Sequence, residues 1–357
     1  LGATFAPIIC GYFGDTGRPA DFKWGFLLAG IGMLLGTATF EFLKSRYVVN
    51  PDGSALGARP ERRSEQAAGE AVSDTRQNAL LLGLFAGVFA LLYFVVLDQK
   101  IIDSLIYSAM VVVPIAVLAD KSLTPVERRK INVVLIIGFF VIFFWAAFEQ
   151  AGNSLTTFAD KQTERHLGSY LVPASFFQTI NPFGIILFAP VFAVLWTWLG
   201  KRGWEPSSPL KMAYGLALLA VGYLIIAFGV KGASATAKVS MFWLIAMYVL
   251  HTFGELCLSP IGLALVNKLA PARVASLMMA VWFLAIATGN KFSGTLGALY
   301  PEPGKPAPHF AGFEITGLYE FFMVFVVLCG ATAFLLLLIY RKLTKMMADE
   351  PDSVIAA

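Results

Sequence analysis

The sequence predicts an all-α, polytopic membrane protein, on three observations. Its 357 residues are 57% hydrophobic and only 14% charged, against about a quarter charged in a soluble domain, and the mean hydropathy is +0.71. The apolar residues come in blocks of roughly 20, the length a helix needs to cross a hydrocarbon core. Lys and Arg alternate in density from one break between blocks to the next, as membrane topology requires.

Ten apolar segments follow in order, at about 1–14, 24–43, 79–97, 103–119, 131–158, 172–199, 210–229, 240–267, 274–299 and 315–340. The first opens inside an apolar run and is too short to span a bilayer, so the chain is expected to start partway through a helix. The breaks at 44–78, 120–130, 200–211 and 268–273, with the tail after Tyr340, carry 18 of the 27 Lys and Arg. The alternate breaks carry eight, and Lys291 lies inside a helix near its periplasmic end, where it is expected to snorkel. The richer set is read as cytoplasmic, which puts the C-terminus in the cytoplasm. The stretch 44–78 reads as a hydrophilic, poorly ordered linker, Gly/Ala/Pro-rich with dense mixed charge. The pairs Gly32–Gly36 and Gly83–Gly87 are expected to mediate close helix contacts.

The net charge of +4 does not indicate nucleic acid, because the basic residues sit at the segment breaks. Cys10, Cys257 and Cys329 lie in apolar blocks without Cys-x-x-Cys spacing or nearby ligand partners, and read as small buried thiols. Metalloprotease, serine-hydrolase and phosphate-loop motifs are absent, and a lone intramembrane His251 does not make a haem site. No cofactor and no metal site is expected.

The chemistry concentrates in two helices. In "FFWAAFEQAGNSLTTFAD", Glu149 lies in an apolar segment, where a carboxylate is costly unless it is paired, hydrated or protonated. Trp145, Glu149 and Asn153 are spaced to form a polar stripe, whose alternative use is helix–helix hydrogen bonding. In "HTFGELCLSPIGLALVNKLAPAR", His251, Glu255 and Ser259 share a face, and Pro260 should weaken the helix beside them. His251 reads as a hydrogen-bonding core residue or a proton relay. "FQTINPFG" places Gln178 and Asn181 just before Pro182, polar groups at a second weakened point. Trp282 walls a pocket or serves packing.

"FFWAAFEQAG", "FQTINP" and "GELCLSPIGL…NKLAP" together resemble the proton-dependent oligopeptide transporter family of the major facilitator superfamily, in which two six-helix bundles rock about a central site. The opening "LGATFAPIICGYFGD…WGFLLAGIGMLLG" is similar to that family's fifth and sixth helices. The resemblance implies a partial major facilitator fold, helices 5–12 plus an inserted helix pair. Residues 1–43 would end the N-terminal bundle, 44–78 form the linker, 79–119 the inserted pair, 120–345 the C-terminal six-helix bundle and 346–357 a cytoplasmic tail. It implies proton-coupled import of di- and tripeptides by a monomer in the bacterial inner membrane, driven by the proton gradient. Glu149 matches the carboxylate that pairs with a first-helix Arg and couples protons. Asn181 and Glu255 match groups that hold the peptide amino terminus, and Ser259, Trp145 and Trp282 match pocket-lining positions. The family's Glu-x-x-Glu-Arg motif is not in this sequence, and the segment expressed alone is expected neither to transport nor to fold stably. Three other readings stay open: a symporter of the same superfamily for another solute such as nitrate or a drug-like anion, a membrane-embedded redox subunit, and a purely structural membrane scaffold.

Overall fold

The structure, a computed structural model, describes residues 2–49, 53, 75–233, 237–302 and 304–348. The helices are α1 (Gly2–Gly14), α2 (Phe22–Tyr47), α3 (Thr75–Leu91), α4 (Ile101–Leu118), α5 (Pro125–Phe148), α6 (Ser154–Lys161), α7 (Ile180–Lys201), α8 (Ser208–Val230), α9 (Met241–Leu269), α10 (Ala275–Gly297) and α11 (Leu318–Met347). Among the described residues nine spans are long and apolar enough to cross a membrane, α5 and α6 counting as one, and Gly2–Gly14 is a shorter apolar helix. The chain is a multi-span membrane protein. Most of the 44–78 linker and the tail beyond Ala348 lie outside the described residues.

Helices α5 to α11 form the packed body. α8 lies between α9 and α11, α5 packs on α10, and α7 packs on α9. The buried core is built from α5, α6, α8, α9, α10 and α11, with Phe144, Phe158, Tyr223, Phe321, Phe322 and Phe325 fully enclosed. α1 and α2 pack together, and α1 also touches α7 and the 3-10 turn Ala174–Thr179. α3 packs on α4, which in turn lies on α10.

Glycine sets the closest of these crossings. A Cβ on Gly215 would lie 2.8 Å from the Gly254 carbonyl oxygen, and one on Gly254 would lie 2.8 Å from that of Gly215. Seven and fourteen residues later, Gly222 receives the His251 ring and Gly229 the Trp243 ring, so one edge of α8 is a glycine seam against α9. The expected contacts at Gly32–Gly36 and Gly83–Gly87 are not made: a Cβ there would meet nothing within 4 Å, and the α1–α2 contact runs through Gly14 and Gly25 instead. Those two pairs face away from the neighbours their own helices have.

At one end of the bundle, Thr124 caps α5 in a reciprocal box with Glu127, with Pro125 at the first helical position. Arg273 reaches across from the α9–α10 connection to the Ser122 carbonyl (3.0 Å) and to Glu127 (3.1 Å). On the opposite side three short strand pairs tie the connections: Thr163–Glu164 with Val239–Ser240, and the hairpins at His166–Leu171 and His309–Glu314.

Lys291 departs from expectation. Rather than snorkelling, its ammonium pairs with Asp103 of α4 at 2.8 Å, and Asp103 is 7% exposed. A carboxylate so buried needs a cation nearby, and the pair fastens the α3–α4 hairpin to α10. Lys291→Met is expected to lower the thermal midpoint of the purified protein, and Asp103→Asn in the same chain to recover part of the loss. The coupling should be about 1 kcal/mol, limited by the exposed side of Lys291. Strictly additive losses in that double-mutant cycle would show that the two groups do not act on each other.

Candidate functional site

The α5 segment does not continue as one helix through its polar residues. Its α-helical run ends at Phe148, Glu149–Gly152 forms a 3-10 turn, and Asn153 has φ −129° and ψ −104° before α6 begins. The expected Trp145–Glu149–Asn153 stripe is therefore cut. Glu149 caps α5, and the Asn153 side-chain amide turns to the Ser293 carbonyl oxygen at 3.5 Å and packs on Gly297 of α10.

The break faces a cavity of about 350 Å³ lined by Trp145, Glu149, Leu258, Ser259, Trp282 and Phe283, with Leu263 and Ile286 completing it. Trp282 is 2% exposed and its ring lies over Gly262, where any side chain would collide with it. The Trp145 indole N–H is buried without a hydrogen-bond partner among the described residues. A buried donor in a cavity wall costs free energy until an acceptor meets it. Glu149 forms no ion pair with a basic side chain among the described residues, and Glu255 lies within its electrostatic reach.

Asn181 and Glu255 join α7 to α9. The Asn181 amide donates to Glu255 Oε2 at 2.8 Å and to Thr252 Oγ1 at 3.3 Å, while the Thr252 hydroxyl donates to the Tyr248 carbonyl. Gly184 lets α7 close onto Thr252. Pro182 does not weaken a helix here, because it sits in the first turn of α7, where its missing N–H has no helical acceptor. Pro260 lies inside α9, which nonetheless runs unbroken from Met241 to Leu269.

The structure thus gathers Trp145, Glu149, Ser259 and Trp282 round one cavity, while Asn181 and Glu255 are bonded to each other outside its lining. It places three candidates elsewhere. His251 is 3% exposed, with its ring 4.7 Å from that of Tyr223 and its Nε2 without a hydrogen-bond partner among the described residues. Each four-residue step along a helix drifts by about 40°, so His251 turns to α8 while Ser259 turns to the cavity. Gln178 lies in the Ala174–Thr179 turn, donates to Thr156 Oγ1 at 2.9 Å, and lines a separate space of about 340 Å³ against α1 and α2. Asn153 is drawn to α10. Thr252, Gln150 and Tyr223 were not among the sequence candidates, although each belongs to the polar framework around the carboxylates. For Gln150 the signal was its place next to Glu149; Thr252 and Tyr223 gave none.

Asn181→Ala would leave Glu255 half-enclosed with its closest donor removed. The expected loss of stability is about 1–3 kcal/mol, read as a lower thermal midpoint, and Glu255→Gln added to it should return part of that loss. An unchanged midpoint for Asn181→Ala would remove the bond from the account of the site.

Comparison with known proteins gives the same outline. The model of the POT family matches residues 1–309. The chain is 32% identical over 305 residues to the uncharacterized transporter YclF of Bacillus subtilis (strain 168), covering 85% of this chain and 59% of that protein. It is 30% identical over 353 residues to the peptide transporter YePEPT of Yersinia enterocolitica, covering 96% of this chain and 66% of that one. It is 28% identical over 364 residues to a di-/tripeptide transporter of Lactococcus lactis, covering 98% and 67%. The chain thus spans about 59–67% of the length of these relatives. Among solved structures, a mutant of peptide transporter POT in complex with alafosfalin superposes with a TM-score of 0.71 at 27% identity, over 97% of this chain and 66% of that one. A POT family transporter in complex with 5-aminolevulinic acid gives 0.71 at 27%, over 96% and 67%. With most of its length matched by the family model and its fold shared with these transporters, the chain belongs to the POT family.

Proposed function

We propose that the protein is a proton-coupled symporter that imports di- and tripeptides by alternating access, with its C-terminus in the cytoplasm of a bacterial inner membrane. The observation that carries this reading is the pair of carboxylates, Glu149 and Glu255, on separate membrane helices and within electrostatic reach of each other. A peptide brings an ammonium group, a carboxylate and backbone amides. Glu255, held by Asn181, offers an acceptor for the ammonium; Trp145 offers an unpaired N–H for a carbonyl; Trp282 and Phe283 offer apolar walls that do not select a side chain. Relatives named as peptide and di-/tripeptide transporters support the substrate class.

Proton coupling is assigned to Glu149. A carboxylate in a low-dielectric site is held neutral by desolvation and charged by a neighbouring cation, so a conformational change that brings or removes a cation exchanges a proton. A membrane potential contributes about 2.3 kcal/mol per charge per 100 mV to inward movement of the proton. The transporter works as a monomer, needs no cofactor and catalyses no covalent step.

The test is Glu149→Gln in the full-length protein, reconstituted in liposomes. Uptake of labelled dipeptide driven by an inward proton gradient should be lost, while binding measured by thermal shift with dipeptide persists. Gradient-driven uptake that survived the substitution would overturn the assignment of Glu149. Failure of unlabelled dipeptides to compete in the wild type would overturn the substrate class.

A further inference from the structure

The break after α5 raises an accounting question that Glu149 itself does not answer. Carbonyls in the last turn of a helix lack intrahelical donors, and in a bilayer they cannot turn to water. Three of those around this break have side-chain donors. The Gln150 amide nitrogen lies 3.1 Å from the Ala146 carbonyl oxygen. The Tyr223 hydroxyl, from α8, donates to the Ala147 carbonyl at 2.6 Å. The Thr156 hydroxyl donates to the Ala151 carbonyl at 2.7 Å, with the Gln178 amide at 3.4 Å.

Gln150 does more than cap its own helix. It is fully buried, and its amide nitrogen also lies 2.9 Å from both the carbonyl oxygen and the hydroxyl of Ser293 on α10. Its amide oxygen accepts from the Ser154 hydroxyl at 2.6 Å, which ties the start of α6 to the same point. Tyr223 is itself held, fully buried and stacked on Phe325 with ring centroids 4.7 Å apart. The two residues flanking Glu149 on the chain, Phe148 and Gln150, thus belong to a segment fastened from α8 and from α10.

We propose that Tyr223 and Gln150 form a clasp that positions Glu149: they hold the helix break in place, so that the carboxylate faces the cavity while its sequence neighbour Gln150 points into the core. This rests on Glu149 being the group that exchanges the proton. Neither clasp residue lines the cavity, so both act through the backbone and touch no substrate. Glu255 is the ionisable group of α9 within electrostatic reach of Glu149; His251 on α9 is turned to α8, and Lys291 on α10 is paired with Asp103.

The experiment compares wild type, Tyr223→Phe and Gln150→Leu in the full-length protein in liposomes. Two rates are read for each: dipeptide uptake driven by a proton gradient, and gradient-free counterflow of dipeptide. For both variants the ratio of driven uptake to counterflow should fall by about fivefold, of the order expected from one hydrogen bond. The midpoint of the pH profile of uptake should also move. A merely structural role would lower both rates together and leave ratio and midpoint unchanged, and that result would overturn the clasp. If either variant fails to fold, Ser293→Ala carries the test, since it removes one of the Gln150 contacts and keeps the other; an unchanged ratio and midpoint there counts against the proposal in the same way. Wild-type uptake indifferent to the gradient would instead sink the reading of Glu149, whereas a gradient-driven wild type with unaffected variants sinks the clasp alone.

Discussion

In hydrocarbon a backbone carbonyl without a donor costs several kcal/mol, and the interruption between α5 and α6 puts that cost in the middle of the bundle. Everything around the candidate site follows from how it is met. Where other helices hold the break, as α8 does through Tyr223 and α10 through Ser293, those helices must come close. Gly289 allows this on one side: a Cβ there would lie 2.7 Å from the Ile142 carbonyl oxygen, so α10 touches α5 one turn before Ser293 reaches Gln150. On the other side the glycine edge of α8 brings Tyr223 between His251 and Phe325, with its hydroxyl at Ala147. Small residues permit the approach, the approach permits the hydrogen bonds, and the bonds permit the break that carries Glu149 to the cavity.

α10 serves more of these constraints than any other helix. Trp282 walls the cavity, Gly289 and Ser293 hold the end of α5, Gly297 receives Asn153, and Lys291 binds the α3–α4 hairpin through Asp103. Successive turns of one helix thus face the cavity, the helix break and the α3–α4 hairpin. An apolar helix cannot do this by hydrophobic contact, since lipid is as apolar as leucine. Polar bonds and close backbone contact supply the specificity.

The membrane spans were legible in the sequence because they depend on local composition: apolar blocks of spanning length and alternating Lys/Arg need no knowledge of partners. Polar residues inside those blocks were legible for the same reason, and Trp145, Glu149, Ser259 and Trp282 do meet round one cavity. The break was not legible. "FFWAAFEQAGNSL" has no proline, and the residues that complete the break, Tyr223 and Ser293, lie 76 and 143 positions away. Proline misled in the opposite direction: Pro182 starts a helix and Pro260 leaves one unbroken. Glycine spacing misled too. Gly32–Gly36 and Gly83–Gly87 have the familiar four-residue interval, yet a Cβ there would meet nothing within 4 Å among the described residues, while Gly215, Gly222 and Gly229, seven apart, form the working seam. A seven-residue interval returns to nearly one face of any helix, but it becomes a seam only where a second helix runs alongside over several turns, which a single helix does not reveal.

The two carboxylates are held so differently that their proposed tasks need not be interchangeable. Glu255 accepts from Asn181 at 2.8 Å in a small network that also includes Thr252 and Tyr248, and that network fixes the carboxylate in one place. A fixed acceptor suits an ammonium group that must be recognised whatever side chain follows it. Glu149 has a fixed backbone and an uncommitted carboxylate: its helix end is tied from two sides, yet its side chain forms no ion pair among the described residues. Such a group can change partner or take a proton without breaking a network. Under the proposed function, a fixed backbone beside a free carboxylate suits Glu149 to coupling and a fixed carboxylate suits Glu255 to binding, and the two groups lie on different helices.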